Sequence, residues 1–270
     1  MRFPAQDHLQ RTGPIRQTAI ITSHGQPSDP DPAEADLVRL CQQVAALLPG
    51  WSLFSATLAK PGALDAAADA AGPGTLIYPF FMTDGWFTRT RLPQRLKGHD
   101  ATFLPPLGTD PALPGLARDR IGGELAQTGW HSGQSRLIVA SHGSGKSRNS
   151  ARDTGRFVTA LSAMTSFAEI RTGYIEEPPF LCDVARHAGP QAICLPFFAA
   201  AGGHVASDIP RALDRADFTG LRLPPIGTHT AVPQLIASAL QRGRTRTATA
   251  QADATTPQSK IPSPAPKPPV

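Results

Sequence analysis

The chain of 270 residues is 40% hydrophobic, 6% aromatic and 17% charged, which suits two domains of about 100–120 residues each. No stretch approaches 18 consecutive apolar residues, 1–17 lack the apolar segment of a secretory signal, and Cys41, Cys182 and Cys194 are too widely spaced for a disulfide framework or a Cys-x-x-Cys site, so a cytoplasmic protein without membrane contact is expected. The net charge of +5 sits at the ends: five basic residues against Asp253 from 242 onward, and three arginines against Asp7 in 1–17, leave 18–241 at −1, and no nucleic-acid partner is expected.

In chain order, 1–17 read as a polar extension. The body that follows is an internal repeat. Thr22-Ser23-His24-Gly25 recurs as Ala140-Ser141-His142-Gly143, Tyr78-Pro79-Phe80-Phe81 as Leu195-Pro196-Phe197-Phe198, and Leu104-Pro105-Pro106-Leu107-Gly108-Thr109 as Leu223-Pro224-Pro225-Ile226-Gly227-Thr228. The offsets, 118, 117 and 119 residues, are far above a solenoid period and indicate a duplicated domain, 18–128 and 129–241. In the second copy, apolar runs at 136–140, 167–172, 192–195 and 221–223 alternate with helical spacing over 149–164, 180–187, 205–214 and 231–241. Short apolar strands alternating with helices predict an α/β fold, with a four-stranded parallel sheet in each half and helices on both faces. The segment 242–270, rich in Thr, Ala, Gln, Ser and Pro, is expected to be a disordered tail.

In an open parallel sheet, ligands bind beyond the carboxyl ends of the strands. His142, Glu176, His204 and His229 all follow apolar runs of the second half, so their loops share one rim. Imidazoles and a carboxylate gathered there suit a divalent metal or acid–base work. Asp208, four residues after His204, is placed to orient that imidazole or to serve as a first-turn acid. His229, beside Thr228, also fits a helix cap. Ala140-Ser-His-Gly-Ser-Gly-Lys146-Ser147 matches a relaxed phosphate-binding loop, but the first copy keeps only the His-Gly pair, and no aspartate for magnesium stands at the next strand ends. Nucleotide hydrolysis is therefore disfavoured.

Ala140-Ser-His-Gly-Ser, Gly173-Tyr-Ile-Glu176, Leu195-Pro-Phe-Phe-Ala-Ala-Ala-Gly-Gly-His204-Val-Ala-Ser-Asp208-Ile-Pro and Ile226-Gly-Thr-His229 resemble the class II tetrapyrrole chelatases, in particular the sirohydrochlorin cobalto- and ferrochelatases in their long two-domain form. The resemblance spans roughly 18–241. It implies insertion of Co²⁺ or Fe²⁺ into sirohydrochlorin, or a related tetrapyrrole, in a cleft between two similar α/β domains. No nucleotide and no permanently bound cofactor take part, because the metal is a substrate. The product would enter sirohaem, cobalamin or another tetrapyrrole pathway, with its downstream enzymes as partners. His142, Glu176 and His204 match the family's working residues. Lys146, Arg148 and Arg152 are candidates for binding the substrate's carboxylates, His24 is a further substrate contact, and Asp208 and His229 are outer partners of the metal site. The first half departs from the pattern. Phe87 aligns with His204, Arg91 with Asp208, Ala59 with Glu176 and Asp110 with His229, so the first half reads as a cleft wall in which Trp86 and Phe87 offer aromatic surface. That loss favours the alternative of a non-catalytic tetrapyrrole- or metal-binding protein on the same scaffold.

Overall fold

The computed structural model describes residues 17–145 and 147–255; the extension up to 16, Lys146 and the end of the tail, 256–270, lie outside them. The first half runs β1 (Gln17–Ser23), α1 (Pro30–Ala46), β2 (Trp51–Thr57), α2 (Ala63–Ala71), β3 (Thr75–Pro79), a π-turn (Phe87–Arg91) continuing into α3 (Leu92–Arg95), β4 (Ala101–Phe103) and α4 (Leu113–Thr128). The second half repeats the series as β5 (Arg136–Ser141), α5 (Asn149–Ser162), β6 (Glu169–Tyr174), α6 (Leu181–Ala185), β7 (Ala192–Pro196), a π-turn (His204–Asp208), α7 (Ile209–Arg215), β8 (Leu221–Arg222) and α8 (Val232–Thr255). The sheets have orders β2-β1-β3-β4 and β6-β5-β7-β8, with every pairing parallel. These are the two four-stranded α/β units expected from the pattern.

The central strands are apolar throughout because both of their faces are covered. Alternate residues divide between two layers. Ala19, Ile21, Leu76 and Tyr78 point to one core, while Ile20 and Ile77 join Leu64 and Leu92 under α2 and α3. In the second sheet Leu137, Val139, Ile193 and Leu195 face the first of these cores, while Ile138, Ala140 and Cys194 pack with Leu181 and Leu213 of α6 and α7. The inner faces of both sheets thus share one continuous core, and each outer face has its own.

The last helix of each half crosses to the other. α4 packs on α5, and α8 packs on α1 and β3. Helix α8 therefore extends beyond the boundary at 241 drawn from the apolar spacing, and residues 242–255 are helical rather than part of a disordered tail. The reason lies in the first half. Arg242 donates to the buried Asp110 Oδ2 at 2.8 Å, and the Gly243 backbone lies close enough to Leu104 that a Cβ would come within 2.7 Å of it. These anchors are polar or lack a side chain, so no apolar periodicity marks them.

Candidate metal centre

Three strand ends carry the site. His142 directly follows β5, Glu176 follows β6, and His204 opens the π-turn after β7. The turn after β5 needs glycine. Gly143 has φ +73°, and a Cβ there would lie 2.9 Å from the Tyr174 Cβ and 2.8 Å from the Glu177 Cγ. Glu177 Oε1 accepts from the Ser144 N–H at 2.9 Å, and the Glu176 N–H donates to the His142 carbonyl at 3.0 Å, so the loops after β5 and β6 are tied together. The π-turn closes with an Ile209 N–H bond to the His204 carbonyl, a single-turn device frequent at functional sites.

His142 Nε2 and His204 Nε2 are 3.1 Å apart, with the rings edge to face at 89°. Glu176 Oε1 lies 3.6 Å from His142 Nε2, and ligand atoms of all three residues lie within 4.8 Å of one another. The hydrogen bonds fix the tautomers. His142 Nδ1 faces the Gly143 carbonyl at 2.8 Å, and His204 Nδ1 faces Asp208 Oδ2 at 2.7 Å. Both partners are acceptors only, so both Nδ1 atoms carry hydrogen. In the neutral rings both Nε2 atoms then carry lone pairs, only 3.1 Å apart. That arrangement is repulsive until one cation, a proton or a metal ion, lies between them. The 3.1 Å edge suits two adjacent ligands on an ion with bonds of about 2.1 Å. Each residue is partly exposed, with side-chain accessibilities of 42% for both histidines and 48% for Glu176, so ion and substrate have access. The cysteines take no part. Burial pushes the Cys41 thiol up to about 11, against a hydrogen bond from Ser55, and the Cys194 thiol up to about 12, and both remain protonated.

The first half reproduces this frame with only one of the three ligands, His24. His24 Nδ1 bonds the Gly25 carbonyl at 2.9 Å, and the Ala59 N–H donates to the His24 carbonyl just as Glu176 does to that of His142. Phe87 stands edge-on to His24 at 4.6 Å and 86°, the relation His204 has to His142 at 4.5 Å and 89°. The alignments of Phe87 with His204 and Ala59 with Glu176 are thus geometric equivalences. So is that of Asp110 with His229: each accepts the N–H two residues on, from Ala112 at 2.9 Å and Ala231 at 3.1 Å.

The remaining candidates divide. Asp208 is at the site, on His204. His229 instead caps the start of α8 and lines a separate cavity of about 450 Å³ with Arg120 and Glu124. Burial, reinforced by the nearby Arg120 charge, holds the His229 imidazole below its ordinary range. Arg148 is exposed just before α5. Arg152 Nε binds Asp153 Oδ1 at 3.1 Å, which leaves its half-exposed guanidinium only partly available. The helix begins at Asn149, so the Gly-Lys-Ser run does not lead directly into a helix N-terminus as a phosphate loop does. Two residues escaped sequence reasoning. Glu177, next to the candidate ligand Glu176, braces the His-Gly turn. Asp153 is fully buried and accepts the Asp84 N–H of the first half at 2.9 Å. Its signal was present: it shares the buried face of α5 with Thr154, Phe157 and Leu161.

Among the described residues no helix is long and apolar enough to cross a membrane. The CbiX family model matches residues 136–243, the half that contains the three candidate ligands. A comparison with functionally curated proteins found no match by sequence. Among solved structures, the chain is similar to CbiX, described as the terminal enzyme for biosynthesis of siroheme in denitrifying bacteria, with 44% identity, a TM-score of 0.78, and coverage of 84% of this chain and 99% of that one. It shares its fold with SirB from Bacillus subtilis with Fe³⁺, at 14% identity and a TM-score of 0.69 over 88% of this chain and 98% of that one. The same holds for the sirohydrochlorin chelatase SirB from Bacillus subtilis subspecies spizizenii in complex with cobalt, at 14% identity and 0.65 over 87% and 98%. On its match to a 44%-identical relative over nearly that relative's full length, the chain is an enzyme of the CbiX family, among the class II tetrapyrrole chelatases.

Proposed function

We propose that this protein inserts a divalent metal, Co²⁺ or Fe²⁺, into sirohydrochlorin or a closely related tetrapyrrole, without nucleotide, at His142, Glu176 and His204. The observation that carries the proposal is the convergence of two Nε2 lone pairs at 3.1 Å beside a carboxylate. The 44%-identical relative, a terminal enzyme of siroheme biosynthesis, supports sirohydrochlorin as substrate and favours iron.

Insertion exchanges one M²⁺ for two pyrrole N–H protons. The two histidines and Glu176 hold the incoming ion. As it passes to the macrocycle nitrogens, the two Nε2 lone pairs are freed and take up one released proton. Glu176 accepts the second and passes it to solvent. Asp208, on His204 Nδ1, stabilises the imidazolium formed when the proton resides there. Arg148 and Arg152 bind carboxylates at the macrocycle edge, as does Lys146, which is outside the described residues. In this reading 129–241 is the working half, 18–128 is the opposite wall in which His24 contacts substrate, the enzyme acts in the cytoplasm, and later enzymes of tetrapyrrole biosynthesis receive the product.

The test is anaerobic incubation of the full chain with sirohydrochlorin and Co²⁺ or Fe²⁺, without ATP, following the absorption change against spontaneous insertion. A rate above background is expected. A second reading, a non-catalytic tetrapyrrole- or metal-binding protein, is favoured by the depleted copy around His24, in which Phe87 and Ala59 replace two of the three ligands. It predicts binding of metal or tetrapyrrole with no rate enhancement.

A further inference from the structure

Trp86 has the highest exposure of the large apolar side chains among the described residues, at 57%. It is nevertheless held firmly. Its ring meets Phe87 edge-on at 5.1 Å, and Phe87 stacks on Phe81 at 6.0 Å and stands on His24 at 4.6 Å. The turn beneath it is closed by the Asp84 carboxylate, which accepts from the Thr88 hydroxyl at 3.0 Å and from Arg89 at 2.6 Å. Burial pushes the Asp84 carboxyl up, but these bonds and the charges of Arg89 and Arg152 outweigh it and hold the group below its ordinary range.

The anchor comes from the other half. The Asp84 N–H is taken by Asp153, whose side chain is wholly buried in the second turn of α5, the helix that follows the His142 loop. The rim bearing Trp86 is therefore bound to the rim bearing the metal ligands. By the repeat, Phe87 stands where His204 stands, so Trp86 occupies the place of Gly203, which carries no side chain. Arg91, in the place of Asp208, is exposed and makes no ion pair among the described residues. Beside the ligand-equivalent Phe87, the first half thus presents an indole and a cation where the second half has Gly203 and Asp208.

We infer that Trp86 is the stacking platform for the flat face of the tetrapyrrole, with Arg91 beside it for an edge carboxylate, and that the first half serves as a substrate-binding wall rather than a second metal site. A water-exposed indole braced edge-on by Phe87, on a turn tied to the other half through Asp84, is preorganised for a planar aromatic ligand, because little side-chain freedom is lost on stacking. The nature of that ligand rests on the chelatase reading above.

The test is calorimetric titration of the full chain with metal-free sirohydrochlorin, for wild type, Trp86→Ala, Trp86→Gln and Trp86→Phe, together with initial rates of Co²⁺ insertion. Loss of stacking is expected to weaken sirohydrochlorin binding roughly tenfold in the Ala and Gln variants, with Phe keeping most of the affinity. KM for sirohydrochlorin should rise in step, while kcat stays within about twofold because the metal ligands are untouched. Equal Kd in wild type and in folded Trp86→Ala or Trp86→Gln overturns the platform, as does a loss confined to kcat. Binding that depends on Trp86 in a protein that inserts no metal leaves the platform standing and removes the chelatase reading. A wild-type protein that does not bind sirohydrochlorin overturns both.

Discussion

Two acceptors, the Gly143 carbonyl and the Asp208 carboxylate, decide how the candidate site works, because they force both histidines to present Nε2 lone pairs to one point. His142→Ala and His204→Ala should therefore each lose about 10²–10⁴-fold of the catalysed insertion rate, since each removes a metal ligand and half of the proton acceptor. His24→Ala should keep a larger share, because its ring faces Phe87 rather than a second ligand. Initial rates corrected for spontaneous insertion check the ordering, and an inactive His24→Ala beside a near-normal His204→Ala would reverse the assignment of the working half. Asp208→Ala tests the outer partner. Loss of an orienting carboxylate typically weakens a metal site about 10–100-fold, which Co²⁺ titration followed by absorption or calorimetry would register.

At the level of elements, the final helix can be tested at both of its ends. The Arg242 guanidinium is half exposed, but its partner Asp110 is 6% exposed and would be left buried without a cation. Arg242→Ala should cost about 1–2 kcal/mol, a fall in Tm of roughly 3–6 °C for a chain of this size, measured by thermal unfolding. A chain ending at 241 should fall further, because Gly243 also packs on Leu104 and Leu76. The start of the same helix is capped by His229, whose imidazole is held below 6.5 by burial and by Arg120. As pH falls below 6.5 the unfolded chain binds a proton before the folded chain does, so this contribution is present above that value and is lost as pH drops through the lower folded value. His229→Asn keeps a short side-chain acceptor without the titration, and its Tm should decline less with acid than that of wild type.

The whole molecule behaves as one body despite its repeat. The inner faces of both sheets share a core from Tyr78 and Ile121 to Phe197 and Leu240, and each half lends its last helix to the other. Calorimetry should therefore give a single unfolding transition, with equal calorimetric and van't Hoff enthalpies. The isolated segment 129–241 should not fold stably, because it would expose the inner face of its sheet. Two resolved transitions would mean that the halves are independent.

Much of this was legible in the sequence. Strands buried on both faces require unbroken apolar runs, so 136–140 and 192–195 marked the centre of a sheet before any contact was known. The duplication was readable because backbone needs recur: a left-handed glycine after each His, at φ +74° for Gly25 and +73° for Gly143, a Pro-Phe-Phe strand end and a Leu-Pro-Pro-x-Gly-Thr turn before the last helix of each half. Strand-end topology then brought His142, Glu176 and His204 to one rim. What the sequence alone determined was set by period, local backbone geometry and strand order. Only the tertiary structure decided that His204 meets His142 while His229 turns away, that Asp153 binds the opposite half, and that α8 runs to Thr255. Those outcomes depend on single polar contacts between residues 62 to 132 positions apart, and such contacts leave no periodic trace along the chain.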